Sequence, residues 1–311
     1  GDGSQPFDHR RVAPVARHVA RVVYEAGPTG FGLARRLTAD GLAVAVIAPS
    51  KVPAAPGPGD KCDRLDCRKL ALYAAKGLLS PVRIPTPQEE ADRQVLRLRD
   101  QLVRKSRSIQ QQIKAFLLVH GVPEPDGLAN WSARAVQALR ALALGAELRF
   151  CLDVMLDELA HAAAQVERVT KELRRVARTD RHRPAVDVLR TVPGVGPITA
   201  MTFRLEVPEP ERFTDGRQVG RLLGLAPQVR QSGERRRSGR ILKSGNPRAR
   251  TVLVEAAWRW VAADGHAGQR YRALVRNTGS GKKAIVGMAR RLGILLWRLS
   301  ARNAAYRAPG C

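Results

Sequence analysis

Acidic residues are scarce in this 311-residue chain: 28 Asp and Glu face 54 Lys and Arg, leaving a net charge of +26. Solubility alone needs nothing so lopsided, and an acidic partner such as a polyanion is implied. Aromatic residues make up only 5 %, which excludes a platform of serial base-stacking rings as the main binding mode. The four cysteines, Cys62, Cys67, Cys151 and Cys311, lack the paired short spacing of a structural zinc site, so reduced thiols and a cytoplasmic setting are expected. No apolar run reaches the roughly 18 residues of a membrane-spanning helix. The basic residues are spread along the chain instead of forming one amphipathic segment, which argues against a membrane surface as the anion. Nothing at the N-terminus reads as a signal peptide. Met is absent there too, so the chain reads as a processed product or a fragment.

What remains points to nucleic acid, because Lys and Arg that neutralise phosphates release condensed counterions and supply sequence-independent affinity. A hydrophobic content of 44 % supports true cores. The fold class expected is α/β plus mainly α, in three stretches: 1–86, 87–182 and 183–311.

In the first stretch, Val22 to Tyr24 form a β-branched and aromatic run ending at Glu25, followed by a Gly/Pro/Thr turn and a helical pattern to about Asp40. A second apolar run, Leu42 to Ala48, closes at Pro49. This strand–helix–strand unit predicts parallel neighbours with a right-handed crossover, each covered on both faces. PAAPGPG, from Pro53 to Gly59, is a loop, and a helix is expected from Asp63 to Ala75.

From Pro87 to Val119 the apolar residues Val95, Leu98, Leu102, Ile109, Ile113 and Phe116 recur at steps suited to one face of a long helix. Leu148, Leu152, Met155, Leu159, Val166, Val169, Leu173 and Val176 keep a heptad seam in a second. The pair is either an antiparallel hairpin packed on itself or a coiled coil that also joins protomers. Beyond Arg183 short helices broken by Gly and Pro are expected. Between Arg230 and Arg250 eight residues are Arg or Lys and one, Glu234, is acidic. A last helical stretch, Lys282 to Arg302, has a core face through Ile285, Met288, Leu292, Leu295 and Leu299.

Three constellations could carry chemistry. The first is Glu25 at a strand end with Asp63 and Asp66 in DKCDRLDC. Residues three apart share a helix face, so the aspartates can converge on a hard cation such as Mg²⁺, although acidic residues also favour a helix N-terminus for dipole reasons. The second is TVPGVGPITA, Thr191 to Ala200, in which Gly194 and Gly196 set a tight hairpin whose N–H groups could meet a phosphate; an ordinary interhelical turn would look similar. The third is RQSGERRRSGRILKSGNPRAR, Arg230 to Arg250, where Ser232 precedes a glycine amid Arg235, Arg236, Arg237, Arg240, Lys243 and Arg248. A serine there could meet a phosphodiester held by guanidinium groups. Ser238 and Ser244 compete with it, and most serines before glycine are turn residues.

In this order the pieces resemble the IS110 family of insertion-sequence transposases, particularly its IS1111-like branch, along nearly the whole chain. VYEAGPTGFGLARRL and DKCDRLDC look like the family's second acidic motif and its Lys-x-Asp-Arg-x-Asp motif. VPGVGP, ERFTDGRQVGRLLGLAP, QSGERRRSGRILKSGNPRAR and VEAAW look like its C-terminal domain. The resemblance implies a RuvC-like, RNase-H-type domain that binds Mg²⁺ through four acids, a coiled-coil spacer, and a small helical C-terminal domain with a helix-hairpin-helix and a catalytic serine. Glu25, Asp63 and Asp66 take the second, third and fourth acidic positions, and Ser232 the nucleophile. It further implies action on DNA in the cytoplasm at the nucleoid, a structured guide RNA, and a dimer or tetramer.

The family's first acidic residue lies on an opening strand before the position of Glu25. Asp2 and Asp8 sit in a polar stretch unlike that strand and are not assigned to it, so an N-terminally truncated copy is expected. Two further readings stand beside serine recombination: a metal-dependent nuclease or resolvase that uses water, and a nucleic-acid-binding remnant without catalysis.

Overall fold

The computed structural model describes residues 19–53, 63–232 and 235–308, with backbone alone at 63–65 and 229–240. It divides into two compact units, 1–90 and 91–311.

In the first unit β1 (Val22–Glu25) lies parallel to β2 (Val44–Ile47), Val22 opposite Val44 and Glu25 opposite Ile47. α1 (Gly32–Ala39) makes the crossover between them and buries Ala34 and Leu37. α2 (Asp63–Ala75) packs beside β1. The far edge of β2 is joined by the chain after α2, through Val82 N–H donating to the Val46 carbonyl at 2.8 Å. β2 is therefore covered as expected, with Val46 and Ile47 fully buried. β1 is not: its residues are half-buried and Glu25 is exposed. A bridging segment on its second side is what β2 has and what β1 lacks among the described residues. Arg35 ties the unit's end together, donating to the Pro85 carbonyl at 2.7 Å and to Glu90 at 2.6 Å.

The second unit starts with the rest of α3 (Pro87–Val119), followed by α4 (Ala133–Arg140) and α5 (Ala146–Ala177). α3 and α5 run antiparallel: Arg99 donates to Thr170 Oγ1 at 2.9 Å, and Lys105 pairs with Glu158 at 3.1 Å. At the distal end Ile109, Ile113 and Leu117 meet Leu152, Leu156 and Leu159, with Leu128, Ala135 and Leu139 filling the tip. Of the heptad residues of α5, Leu152, Met155 and Leu159 lie in or beside this seam, while Leu173 and Val176 pack into the core described next. On α3 the core position is Leu96, while Leu98 is 41 % exposed. The base of α3 turns Asp92 and Arg99 toward α5 and the turn after it, so polar residues with partners occupy positions that apolar spacing assigns elsewhere.

Leu96, Leu173 and Val176 belong to the same core as the chain beyond them. That chain forms α6 (Arg183–Arg190), α7 (Pro197–Glu206), α8 (Gly216–Leu222), a β-ribbon of β3 (Pro227–Ser232) and β4 (Arg235–Ile241), then α9 (Pro247–Ala263), α10 (Gly265–Thr278) and α11 (Gly281–Arg302). Asp215, Asn246, Asp264 and Ser280 each cap the next helix by accepting backbone N–H bonds, which satisfies donors that the first helical turn leaves unpaired. α11 lies on α9 and α10 and buries Ile285, Met288, Leu292 and Leu299 as expected; Leu295 packs at the margin. The antiparallel ribbon was not expected within a helical domain.

Candidate functional site

Glu25 closes β1 just before the Ala26 N–H donates to the Ile47 carbonyl at 2.8 Å, so the sheet holds its backbone rigidly. Asp66 lies in the first turn of α2, and both carboxylates line one cavity of about 900 Å³ together with Tyr24, Cys67, Leu70 and Ala74. Asp63 begins α2, one turn from Asp66, but its side chain lies outside the described residues. Among the described residues no three His, Cys, Asp or Glu side chains gather at one point. Two carboxylates facing one open cavity nevertheless fit Mg²⁺, which is held by one or two carboxylates and completes its shell with water and phosphate oxygens. In the same strand, burial pushes the Tyr24 hydroxyl up from its ordinary pKa, against the opposing pull of the Ala34 backbone and then of Arg35.

In the second unit α6 and α7 are joined by a turn in which Val195 N–H donates to the Val192 carbonyl at 3.1 Å. Gly194 has φ +83°, and a Cβ there would stand 2.6 Å from the Trp260 backbone nitrogen. This glycine is required by the close approach of α9 as well as by its left-handed backbone. Gly196, in ordinary extended conformation, faces open space at the start of α7.

Ser232 is the last residue of β3 and pairs with Arg235 across the ribbon; Gln231 pairs with Arg236 and Arg230 with Arg237. The side chains of Ser232, Arg235, Arg236, Arg237, Ser238 and Arg240 lie outside the described residues, as do Gly233 and Glu234 altogether. Beyond the ribbon, Lys243 is exposed, whereas Arg248 pairs with Asp100 of α3 at 2.8 Å. Arg248 therefore holds α9 to the long helix. Gly245 packs its backbone against the end of α8, where no side chain would fit.

Several arrangements have no counterpart in the sequence patterns. Asp92, 3 % exposed, accepts two hydrogen bonds from Arg181, both 2.9 Å, and lies 2.8 Å from His182 Nε2. An acid early in a helix looks like an ordinary dipole complement, and its partners are 89 and 90 residues away. Tyr306 donates its hydroxyl to Asp264 at 2.6 Å, while its N–H donates to Thr191 Oγ1 at 2.8 Å, strapping the chain after α11 over the α6–α7 turn. Arg174, Arg178, Arg183 and Arg190 gather around a second cavity of about 460 Å³ beside that turn. They are spread over two helices, so no run of charge announces them.

No helix among the described residues is long and apolar enough to cross a membrane. Residues 186–272 match the family described as Transposase IS116/IS110/IS902, a stretch that contains the α6–α7 turn, the ribbon and Ser232. The chain is 37 % identical over 235 residues to the putative transposase y4qE of Sinorhizobium fredii, covering 76 % of this chain and 57 % of that protein. It is 30 % identical over 304 residues to the putative transposase y4rJ of the same organism, covering 89 % of this chain and 76 % of the relative. To the transposase for insertion sequence element IS1111A of Coxiella burnetii it is 24 % identical over 254 residues, covering 80 % and 69 %. The chain belongs to the IS116/IS110/IS902 family of transposases.

Proposed function

We propose that the chain is a DNA transposase whose nucleophile is the Ser232 hydroxyl, with Glu25, Asp63 and Asp66 as the residues that hold Mg²⁺. What carries this reading is the family match across residues 186–272, which includes Ser232 in a ribbon rich in arginine. In the reaction proposed, Ser232 Oγ attacks a DNA phosphodiester in line. The Oγ–P bond forms as the P–O3′ bond breaks, and the proton lost from Oγ is balanced by the one gained at the departing O3′, giving a phosphoserine-linked strand and a free 3′ hydroxyl. The ester conserves the energy of the broken bond, so a later attack by a 3′ hydroxyl rejoins DNA without ATP. Arg235, Arg236 and Arg237 neutralise charge on the phosphoryl oxygens. When bound, Mg²⁺ supplies further charge neutralisation at the phosphate. Target choice by a structured guide RNA and assembly into a dimer or tetramer, through the α3–α5 hairpin, belong to the same proposal.

A second reading is favoured by the shared cavity of Glu25 and Asp66: a nuclease in which these acids activate water and no covalent protein–DNA product forms. The experiment incubates the chain with supercoiled DNA bearing the element's own ends, RNA from the same locus and Mg²⁺, then seeks DNA bound to protein on a denaturing gel. An adduct present in the parent and lost in Ser232→Ala supports serine chemistry. Cleavage without adduct that survives Ser232→Ala but stops in Asp66→Asn establishes the nuclease instead, and salt-dependent binding with no change in the DNA leaves a binding remnant.

A further inference from the structure

The cavity formed by the end of α5, α6 and the start of α7 is lined by Arg174, Arg178, Arg183 and Arg190, with Asp187 the one acid and Ala177, Val186 and Pro197 among its apolar residues. Arginines on a helical surface are usually solvated or paired with nearby acids. Neighbouring arginines in this region show what pairing looks like. Arg175 makes two hydrogen bonds to Glu172, at 2.8 and 2.7 Å, and Arg181 makes two to Asp92, both 2.9 Å. Those around the cavity are different. Arg174 stands 3.7 Å from Glu167, Arg183 3.5 Å from Asp180 and Arg190 3.9 Å from Asp187; good N–H···O bonds are roughly 2.7–3.2 Å. Arg178 has no ion pair or side-chain hydrogen bond among the described residues. Three guanidinium groups at this cavity are thus held only in long, exposed ion pairs and Arg178 in none among the described residues, while those beside it make short paired bonds to carboxylates.

The turn that carries the cavity's arginines is itself pinned. The buried Asp92 fixes Arg181 and His182 at the turn between α5 and α6, and this sets where Arg178 and Arg183 emerge on either side of it. A preorganised set of donors loses less freedom when a ligand arrives. Four guanidinium groups beside the half-buried Pro197 match a sugar–phosphate unit, whose phosphate oxygens accept forked N–H bonds while the sugar rests on the proline ring.

We infer that this arginine cavity clamps the backbone of a nucleic-acid strand, at a site separate from the basic ribbon. The inference rests on the nucleic-acid reading above and adds where a strand is gripped. DNA and RNA share the phosphodiester that the site recognises, and they are separated by test.

The full chain is titrated with a short duplex DNA of arbitrary sequence and, separately, with a structured RNA, at several salt concentrations. Parent protein, Arg178→Ala/Arg183→Ala, Arg178→Lys/Arg183→Lys and the control Arg175→Ala are compared. The double alanine variant is expected to bind roughly tenfold more weakly and to reduce the salt slope by about 2, one for each phosphate no longer neutralised. The lysine pair should recover most of the slope, which a merely misfolded variant cannot do, and Arg175→Ala should match the parent. Loss confined to one ligand names the strand held there. If the parent binds either ligand with a steep slope and the alanine pair leaves both unchanged, the clamp is refuted while the nucleic-acid reading stands. If the parent binds neither, both fall.

Discussion

Asp264 and Tyr306 show how single side chains secure the C-terminal unit. Burial alone would raise the Asp264 pKa, but the Tyr306 hydroxyl and the backbone N–H groups of Ala267 and His266 outweigh it and hold the carboxyl below its ordinary range. Burial and the same carboxylate push Tyr306 up from 10.0 to about 12. A lowered acid contributes stability above its unfolded pKa, here about 4, and loses it as pH falls through the lower folded value. A raised phenol contributes fully below its unfolded value of 10.0 and loses its share as pH climbs toward about 12. Tyr306→Phe should therefore cost roughly 1.5–3 kcal/mol near neutrality, the worth of a hydrogen bond to a charged group. Its deficit should shrink below about pH 4 and again above about pH 10, as read by urea denaturation of parent and variant across pH. A deficit that stays level from acid to alkali would show that the hydroxyl is not bonded to the carboxylate. At this scale the sequence was only partly legible. Gly194 reads naturally as a phosphate-binding glycine, yet its missing side chain makes room for the Trp260 backbone, a neighbour 66 residues on that spacing along the chain does not reveal. Arg248 reads as a DNA ligand and is held by Asp100 for the same reason.

Among the elements, the α3–α4–α5 hairpin has its own apolar core, separate from that of the rest of its unit. Ile113 is fully buried at its centre, so shortening this side chain leaves a cavity. Ile113→Ala should cost about 2–5 kcal/mol, with hydrogen exchange accelerating in α4 and the distal halves of α3 and α5 while α9 and α11 stay protected. Uniform acceleration across α9 and α11 would show instead that the hairpin and the C-terminal helices unfold as one. These helices were the most legible elements, since α3 runs over the Pro87–Val119 stretch read from its period and α2 over Asp63–Ala75. Local signals suffice there: a Pro or acid at the start and apolar residues every three or four. The β-ribbon escaped that reading because β4, RRRSGRI, has no apolar alternation. Its pairing is backbone hydrogen bonding between strands, which composition does not encode.

For the whole molecule, a charge of +26, nearly all of it in the second unit, predicts binding to DNA that weakens steeply with salt. A slope of about −5 or steeper in log K against log salt is expected for duplex of arbitrary sequence, equivalent to roughly six phosphates. A slope near −2 would mean that most of the charge is merely solvated. Because phosphate contacts position a protein without reading bases, changing the duplex sequence at constant length should leave that slope unaltered. Composition, motif order and apolar period by themselves determined the partner class, the family resemblance, the long helices and the parallel β1–β2 pair, because each of these is written in residues close together in the chain. Only the tertiary structure decided that Glu25 and Asp66 share a cavity, that Asp92 is buried between Arg181 and His182, and that four arginines of α5, its C-terminal cap and α6 gather around another cavity with no short bond to a carboxylate while their neighbours are tightly paired. Which charges are neutralised and which stay available depends on distances between residues far apart in the chain, and those distances exist only once the helices have packed.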